Sequence, residues 1–244
     1  MSALLEVENL SVAFDGIHAV DGLDFRVERD ELRCVIGPNG AGKTTLLDMI
    51  CGKTRPTDGR IRFKDRDLTQ MTDYEITRAG IGRKFQNPST YEDLTVFDNL
   101  EISHPGRRGV LACLFGRADA QVNARIEQVV GEIYLGDRLR TKAGVLSHGQ
   151  KQWLEIGMLL MQESELLLLD EPVAGMSARE RELTAELLKR VAVGRSLVVI
   201  EHDMGFVRSI ADRVTVLHQG KLLAEGSMDA MQADPRVIDV YLGN

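Results

Sequence analysis

The sequence predicts an α/β fold organised around a largely parallel sheet. An apolar run at 32–36 indicates a buried strand, and the segment GPNGAGKTT at 37–45 leads from it into LLDMI, the predicted start of a helix. A second apolar run, 166–169, ends in two adjacent acids, and the strand-like run 197–200 follows an amphipathic segment at 178–193. Because alternating strands and helices favour parallel pairing, one sheet with helical connections is expected.

The residues on either side of GPNGAGKTT predict further strands. The short strand-like runs are 4–8, 11–14, 23–28, 60–63, 81–85 and 214–217. Asp15-Gly16 is a turn signal, and the run 23–28 alternates apolar with polar residues, as in a sheet with one buried face. This pattern predicts an N-terminal β-subdomain with antiparallel pairing.

The middle of the chain has a different character. Residues 88–162 contain loop-like stretches and helical candidates at 119–135 and 151–162. We therefore predict a helical subdomain inserted into an α/β core, with the core formed by 1–87 and 163–244 and the whole chain acting as a single domain.

Length and composition exclude several classes of protein. The 244 residues suffice for a large core, with 43% hydrophobic and 27% charged residues. A net charge of −7 argues against bulk attraction to nucleic acid, and no nucleic-acid partner is predicted. Neither a run of about 18 apolar residues nor a signal-peptide pattern is present, so no membrane span is predicted. Three cysteines without CxxC spacing fit reduced cytoplasmic thiols, and Cys34 is expected to pack in a strand.

The segment GPNGAGKTT fits the phosphate-binding pattern G-x-x-x-x-G-K-[ST] in the required strand–loop–helix context. A chance match would occur in roughly one chain of this length in a hundred. Lys43 can place a positive charge on the terminal phosphates, and the Thr44 hydroxyl can ligate Mg²⁺. The predicted ATP contacts of this loop are Gly37, Pro38, Asn39, Gly40, Ala41, Gly42, Lys43, Thr44 and Thr45.

Two adjacent acids follow the run of four leucines at 166–169. Asp170 lies at the carboxyl end of a predicted strand, where α/β sheets bind ligands, and is expected to hold Mg²⁺. Its alternative role is a helix N-cap. Glu171 is expected to polarise the attacking water as a general base, against the alternative of a solvated surface glutamate.

The order of motifs closely resembles the ATP-binding-cassette (ABC) family of proteins. The segment LSHGQ at 146–150 is similar to the family signature LSGGQ. Phe14 stands where the family has an aromatic residue that stacks on adenine, Gln86 matches the glutamine of the Q-loop, and His202 matches the switch histidine. The resemblance covers the whole chain and implies the family's nucleotide-binding fold, with a β-subdomain and a helical subdomain.

The resemblance also implies a mechanism. Two cassettes would pack head to tail around two ATP molecules, with Ser147, Gly149 and Gln150 of one cassette at the phosphates held by the other. Gln86 would sense Mg²⁺ and the attacking water. His202 would bond the γ-phosphate and orient the base; alone, it would be interpreted as a packed histidine near a strand end.

Two positions depart from the family pattern. His148 replaces the first of the two adjoining glycines of the signature, and Ser177 stands where the D-loop has an aspartate. The first change is tolerable if the side chain points away from the phosphate. The second weakens any role of that loop in communication across the dimer.

Finer similarities suggest a transporter subunit. EPVAGM at 171–176 and DPRVIDVYLG at 234–243 resemble the branched-chain amino acid uptake class, and 146–162 resembles the ATP-binding D subunits of bacterial urea importers. The resemblance implies a peripheral subunit on the cytoplasmic face of the cell membrane that powers urea import. The alternatives are an importer of branched-chain amino acids or short amides, a lipid exporter, and a regulatory module that holds ATP without turnover.

The resemblance to these importers also implies several partners. They are a sister ATPase subunit or a second copy of the chain, transmembrane permease subunits, and indirectly a periplasmic or extracellular substrate-binding protein. A permease helix would enter a groove beside Gln86, with the apolar residues Tyr91, Leu94, Val96 and Phe97 available as lining. For any one of these four, the alternative is a place in the core.

Overall fold

A computed structural model of the chain describes residues 3–84, 89–105 and 120–242. By compactness, the chain divides into a first unit of 1–83, 165–172 and 188–244 and a second unit of 84–164 and 173–187. The predicted core at 1–87 and 163–244, with a helical subdomain at 88–162, stays a prediction.

The described residues contain ten strands in two sheets. In chain order the strands are β1 (Leu5–Phe14), β2 (Ile17–Val27), β3 (Leu32–Ile36), β4 (Asp58–Phe63), β5 (Arg66–Asp67), β6 (Ile81–Lys84), β7 (Leu166–Asp170), β8 (Ser196–Ile200), β9 (Arg213–His218) and β10 (Lys221–Gly226). One sheet has the order β2-β1-β4-β5, and its pairs are antiparallel. The other has the order β10-β9-β3-β8-β7-β6, with parallel pairs from β9 to β7 and β10 antiparallel to β9.

The central strands of the parallel sheet are buried throughout. Every residue of β3, β7 and β8 is buried, which is the pattern of strands covered on both faces. Cys34 is fully buried in β3, as predicted for a packing residue, and burial raises the pKa of its thiol. The apolar runs identified in the sequence therefore form the centre of this sheet.

The antiparallel sheet corrects the predicted N-terminal strands. The runs 4–8 and 11–14 belong to one strand, β1, whose pairing with β2 shifts register between Val7 and Leu10. Asn9 lies within that irregular stretch with a φ of 47°, a conformation that asparagine tolerates. This bulge explains why the sequence pattern predicts two short strands where the structure has one. The turn at Asp15-Gly16 is found where predicted, with positive φ at both residues.

The described residues contain nine α-helices. They are α1 (Lys43–Ile50), α2 (Asp73–Ala79), α3 (Val96–Ser103), α4 (Ala120–Glu132), α5 (His148–Met161), α6 (Ala178–Val191), α7 (Met204–Ile210), α8 (Met228–Ala233) and α9 (Pro235–Leu242). Within the described ranges, no helix is long and apolar enough to cross a membrane. Helix α5 begins earlier than the predicted 151 because Ser147 caps it, and α1 begins before the predicted LLDMI.

Candidate functional site

The phosphate-binding loop connects β3 to α1 in the first unit, and two of its glycines are required by close packing. A Cβ built at Gly37 would lie 2.3 Å from the carbonyl oxygen of Leu217, and one at Gly42 would lie 2.5 Å from that of Ala19. Both glycines also have positive φ. Larger residues would clash with backbone at either position, so the loop keeps the shape that turns N–H groups toward an anion.

Lys43 opens α1, and its side chain folds back over the loop. The ammonium donates to the carbonyl oxygens of Gly37, at 2.7 Å, and Pro38, at 2.9 Å. Burial lowers the pKa of Lys43, while the negative charges of Glu171 and Asp170 act in the opposite direction. The charge therefore sits over the loop where a phosphate would be neutralised. Thr44 is exposed at the first turn of the helix, available to a ligand.

Asp170 and Glu171 lie at the carboxyl end of β7. Asp170 is the buried last residue of that strand, and the next helix along the chain begins only at Ala178, so its alternative role as an N-cap is wrong. Glu171 has a φ of 45°, in the left-handed region, and its N–H donates to the Ile200 carbonyl oxygen at 3.0 Å. Such a conformation in a glutamate costs energy and is often found at functional sites.

His202 follows β8 and lies beside Glu171. Its Nδ1 is 3.7 Å from Glu171 Oε1 and 3.9 Å from Glu201 Oε2. The His202 side chain is 69% exposed, which contradicts the alternative of a packed histidine. Since β7 and β8 are parallel neighbours, the residues that follow each strand meet at the same edge of the sheet, and the predicted base and switch histidine come together.

Arg83 is a site residue that the sequence reasoning missed. Its guanidinium reaches Asp48 Oδ1 at 2.6 Å and Asp170 Oδ2 at 3.8 Å, and its side chain is 5% exposed. A cation inside the short strand-like run IGRKF was the available signal. Arg83 balances the negative charge of the Asp170 carboxylate and anchors it to α1 through Asp48.

Replacing Arg83 with methionine is expected to destabilise the chain by about 3 kcal/mol, because two carboxylates lose their buried cation. Chemical denaturation would measure the loss. Arg60→Met removes the exposed pair with Asp67 and is expected to cost no more than about 1 kcal/mol. Equal losses in the two variants would contradict a buried anchoring role for Arg83.

Tyr241, near the end of α9, also reaches the phosphate-binding loop. Burial raises the pKa of Tyr241 to about 12, and a hydrogen bond with the backbone of Gly37 acts in the opposite direction. The sequence suggested this tyrosine only as part of DPRVIDVYLG, with no role. The last helix therefore contacts the first residue of the loop.

The signature residues lie at the start of α5 in the second unit. Ser147 Oγ accepts from the Gln150 N–H at 3.2 Å, and Gln150 Oε1 accepts from the Ser147 N–H at 3.0 Å, forming a capping box. The early N–H groups of a helix attract anions. The contact of Ser147, Gly149 and Gln150 with a phosphate stays a prediction.

Phe14 ends β1 with half its surface exposed, so its ring is available for stacking. Gln86 lies outside the described residues. Of the four apolar groove candidates, Val96 is fully buried and belongs to the core, whereas Tyr91 is exposed and Leu94 and Phe97 are half-buried.

The ABC transporter family model matches residues 20–174, and a model described as the branched-chain amino acid ATP-binding cassette transporter matches 221–244. The high-affinity branched-chain amino acid transport ATP-binding protein BraF of Pseudomonas aeruginosa is 34% identical, covering 98% of both chains. LivG of Escherichia coli is equally similar at 34% over 98% of both chains, and LivG of Archaeoglobus fulgidus is 31% identical.

Solved structures agree with these relatives. An ATP-binding cassette of an ABC transporter in its ADP conformation matches with a TM-score of 0.87 at 30% identity, covering all of both chains. A nucleotide-free ATP-binding cassette from an ABC transporter matches with a TM-score of 0.84 at 28% identity. These similarities confirm the predicted fold and ATPase activity. The chain belongs to the ATP-binding-cassette transporter family, as an ATP-hydrolysing subunit of its branched-chain amino acid class.

Proposed function

We propose that the chain powers an importer of branched-chain amino acids or closely related small molecules. The observation that carries this proposal is the similarity at 221–244 to the branched-chain amino acid class, together with relatives of that class along 98% of the chain. The relatives named above give no support to urea, which the sequence predicted as the substrate. The alternative predicted with it, an amino acid or short-amide importer, fits them better.

ATP is held in the first unit by the phosphate-binding loop. The backbone of 37–42 surrounds the phosphates, and Lys43 exchanges its bonds to the loop carbonyls for bonds to phosphate oxygens. Thr45 lies in the first turn of α1, and Phe14 packs its ring against adenine. The first-turn N–H groups of α1 add to the field at the phosphates.

The donors near the phosphates suit Mg²⁺. This ion is usually held by one or two carboxylates and by substrate phosphates rather than by a cage of protein groups. Accordingly, the described part of the chain has no group of three His, Cys, Asp or Glu side chains that could hold a metal alone. Thr44 and Asp170 would hold the ion, together with Gln86. When bound, Mg²⁺ would neutralise charge on the phosphates.

Glu171 acts as the general base of hydrolysis. Its carboxylate is partly exposed, so water reaches it, and His202 approaches the same carboxylate from the next strand. Glu171 takes a proton from the attacking water, while His202 bonds the γ-phosphate and fixes the direction of the base. The Arg83 guanidinium, 3.8 Å away, offsets the negative charge of the Asp170 carboxylate.

The second half of each ATP site comes from another cassette. Ser147, Gly149 and Gln150 present the start of α5 to the γ-phosphate held by a partner, which is a sister ATPase subunit or a second copy of this chain. Permease subunits anchor the pair at the cytoplasmic face of the membrane, and a substrate-binding protein delivers the cargo on the other side.

The substrate class is tested by uptake of labelled leucine and labelled urea in cells that lack this chain. Leucine uptake is expected to fall to background while urea uptake is unchanged, and wild type, but not Glu171→Gln, is expected to restore it. Loss of urea uptake with normal leucine uptake would return the assignment to urea. Unchanged uptake of both would contradict either substrate.

A further inference from the structure

Two loops of the second unit contact each other through the side chain of His148. Its Nε2 lies 3.0 Å from the carbonyl oxygen of Ala174. A Cβ built at Gly175 would lie 3.2 Å from the Cδ2 of the same ring, so the imidazole packs against the backbone there. The signature loop, 146–150, and the loop 174–177 are therefore joined by one hydrogen bond and one packing contact.

The orientation of the ring is supported from within α5. Gln152, one turn after His148, is fully buried, and its amide nitrogen lies 3.2 Å from His148 Nε2. A carbonyl oxygen can only accept, so the contact with Ala174 requires a hydrogen on Nε2. With that hydrogen on Nε2, the Gln152 nitrogen packs against the ring and does not donate to it. The ring is thus held between the helix and the loop.

Glu180, in the first turn of α6, contacts both loops. Its Oε2 accepts from the Ser177 N–H at 2.9 Å and from the Ser177 hydroxyl at 2.8 Å. A Cβ built at Gly149 would lie 2.4 Å from Glu180 Oε1, so the carboxylate occupies the space beside this signature glycine. Hydrogen bonds from Ser177 hold the pKa of Glu180 below its usual range, and the group stays ionised.

The two departures from the family pattern thus lie at the same junction. His148 supplies the ring that a glycine could not, and Ser177 supplies the hydroxyl that fixes Glu180. Along the chain, Ala174 follows Glu171 after only Pro172 and Val173. The junction therefore joins the signature loop to the segment that directly follows the catalytic glutamate.

We propose that His148 is a positioning residue that couples the signature loop to the loop 174–177 within one subunit. The inference rests on the proposed function, in which the signature serves the ATP held by the partner cassette while Glu171 serves the subunit's own ATP. When Ser147 and Gly149 bind a phosphate and shift, His148 then transmits the shift to the loop 174–177, which follows Glu171 in the chain. His148 affects the rate of hydrolysis rather than the affinity for ATP, which depends on the phosphate-binding loop.

The contact itself is tested by hydrogen–deuterium exchange of the nucleotide-free chain. In His148→Ala, peptides covering 146–150 and peptides covering 174–177 are both expected to exchange faster, by roughly three- to tenfold, the effect of one net hydrogen bond. The control is Val145→Ala, which truncates a side chain that is 75% exposed on the same loop and is expected to change neither peptide. Faster exchange confined to 146–150, or equal effects in the control, would overturn the coupling.

The functional part is tested by ATP hydrolysis in the assembled transporter. His148→Ala is expected to lower kcat by roughly three- to tenfold at an unchanged KM for ATP. His148→Gln, whose amide can donate to the Ala174 carbonyl, is expected to restore most of the rate. Equal losses in both variants, or a loss expressed in KM, would overturn the positioning role. Absence of hydrolysis in the wild-type assembly would instead refute the proposed function, and the exchange experiment would still decide the contact.

Discussion

Replacing Glu171 with glutamine is expected to slow ATP hydrolysis by about 10²- to 10⁴-fold while ATP binding stays close to wild type. The amide has the size of the carboxylate but cannot accept the proton of the attacking water. Phosphate release in a single turnover would measure the chemical step, and equilibrium binding of a fluorescent ATP analogue would measure affinity. The phosphate-binding loop is untouched by the change, which is why binding is preserved.

Glu186→Gln provides the matched control for this variant. Glu186 is exposed on α6, so the same exchange of carboxylate for amide is expected to leave the rate unchanged. Glu201 also lies near His202, with its carboxylate 3.9 Å from the ring. Its side chain is only 1% exposed and accepts from the His202 N–H at 3.1 Å, so the attacking water does not reach it as it reaches Glu171. Normal turnover in Glu171→Gln would remove Glu171 as the base.

The second large effect is expected from Lys43→Ala, which should weaken ATP binding about tenfold to a hundredfold. Within 37–45, only the Lys43 side chain carries a full charge that can face the terminal phosphates. A hydrogen bond to a charged group contributes about 1.5–3 kcal/mol. Titration of the chain with ATP, followed by calorimetry, would measure the change. Thermal unfolding of the same variant would separate lost affinity from lost folding, since Lys43 also bonds two loop carbonyls.

Lys189→Ala removes the same charge from an exposed position on α6 and is expected to bind ATP like wild type. If Lys43→Ala retained wild-type affinity, the assignment of 37–45 as the phosphate-binding loop would be contradicted. If both lysine variants lost affinity equally, net charge rather than the loop would explain the effect.

Much of the candidate site follows from local sequence because the chemistry lies at the ends of continuous apolar strands. The run before Gly37 and the run before Asp170 are each buried at every position, so neither their strand assignment nor their carboxyl ends were ambiguous. The meeting of Glu171 and His202 then follows from parallel pairing of β7 with β8. The position of a site residue could be predicted where it directly follows a single buried strand.

The missed features depend on contacts between distant segments. Arg83 looked like an ordinary strand residue until Asp48, 35 positions away, was brought beside it. The contact of His148 with Ala174 joins residues 26 positions apart. A sequence motif does not show which loops lie close together in the folded chain. The early start of α5 has a local cause instead, since hydrogen bonds between Ser147 and Gln150 set its first turn before the expected 151. The bulge near Asn9 is visible only once β1 is paired.

The backbone conformation of Glu171 lowers the stability of the fold at a residue that hydrolysis requires. A left-handed φ of 45° is easily adopted by glycine or asparagine but is costly for glutamate, by roughly 1 kcal/mol or more. Folding alone would favour a smaller residue at this position, and such a residue could not act as the base. If this protein were selected for heat resistance alone, glycine or asparagine would therefore be favoured at position 171. The selected variants would be more stable but would not hydrolyse ATP.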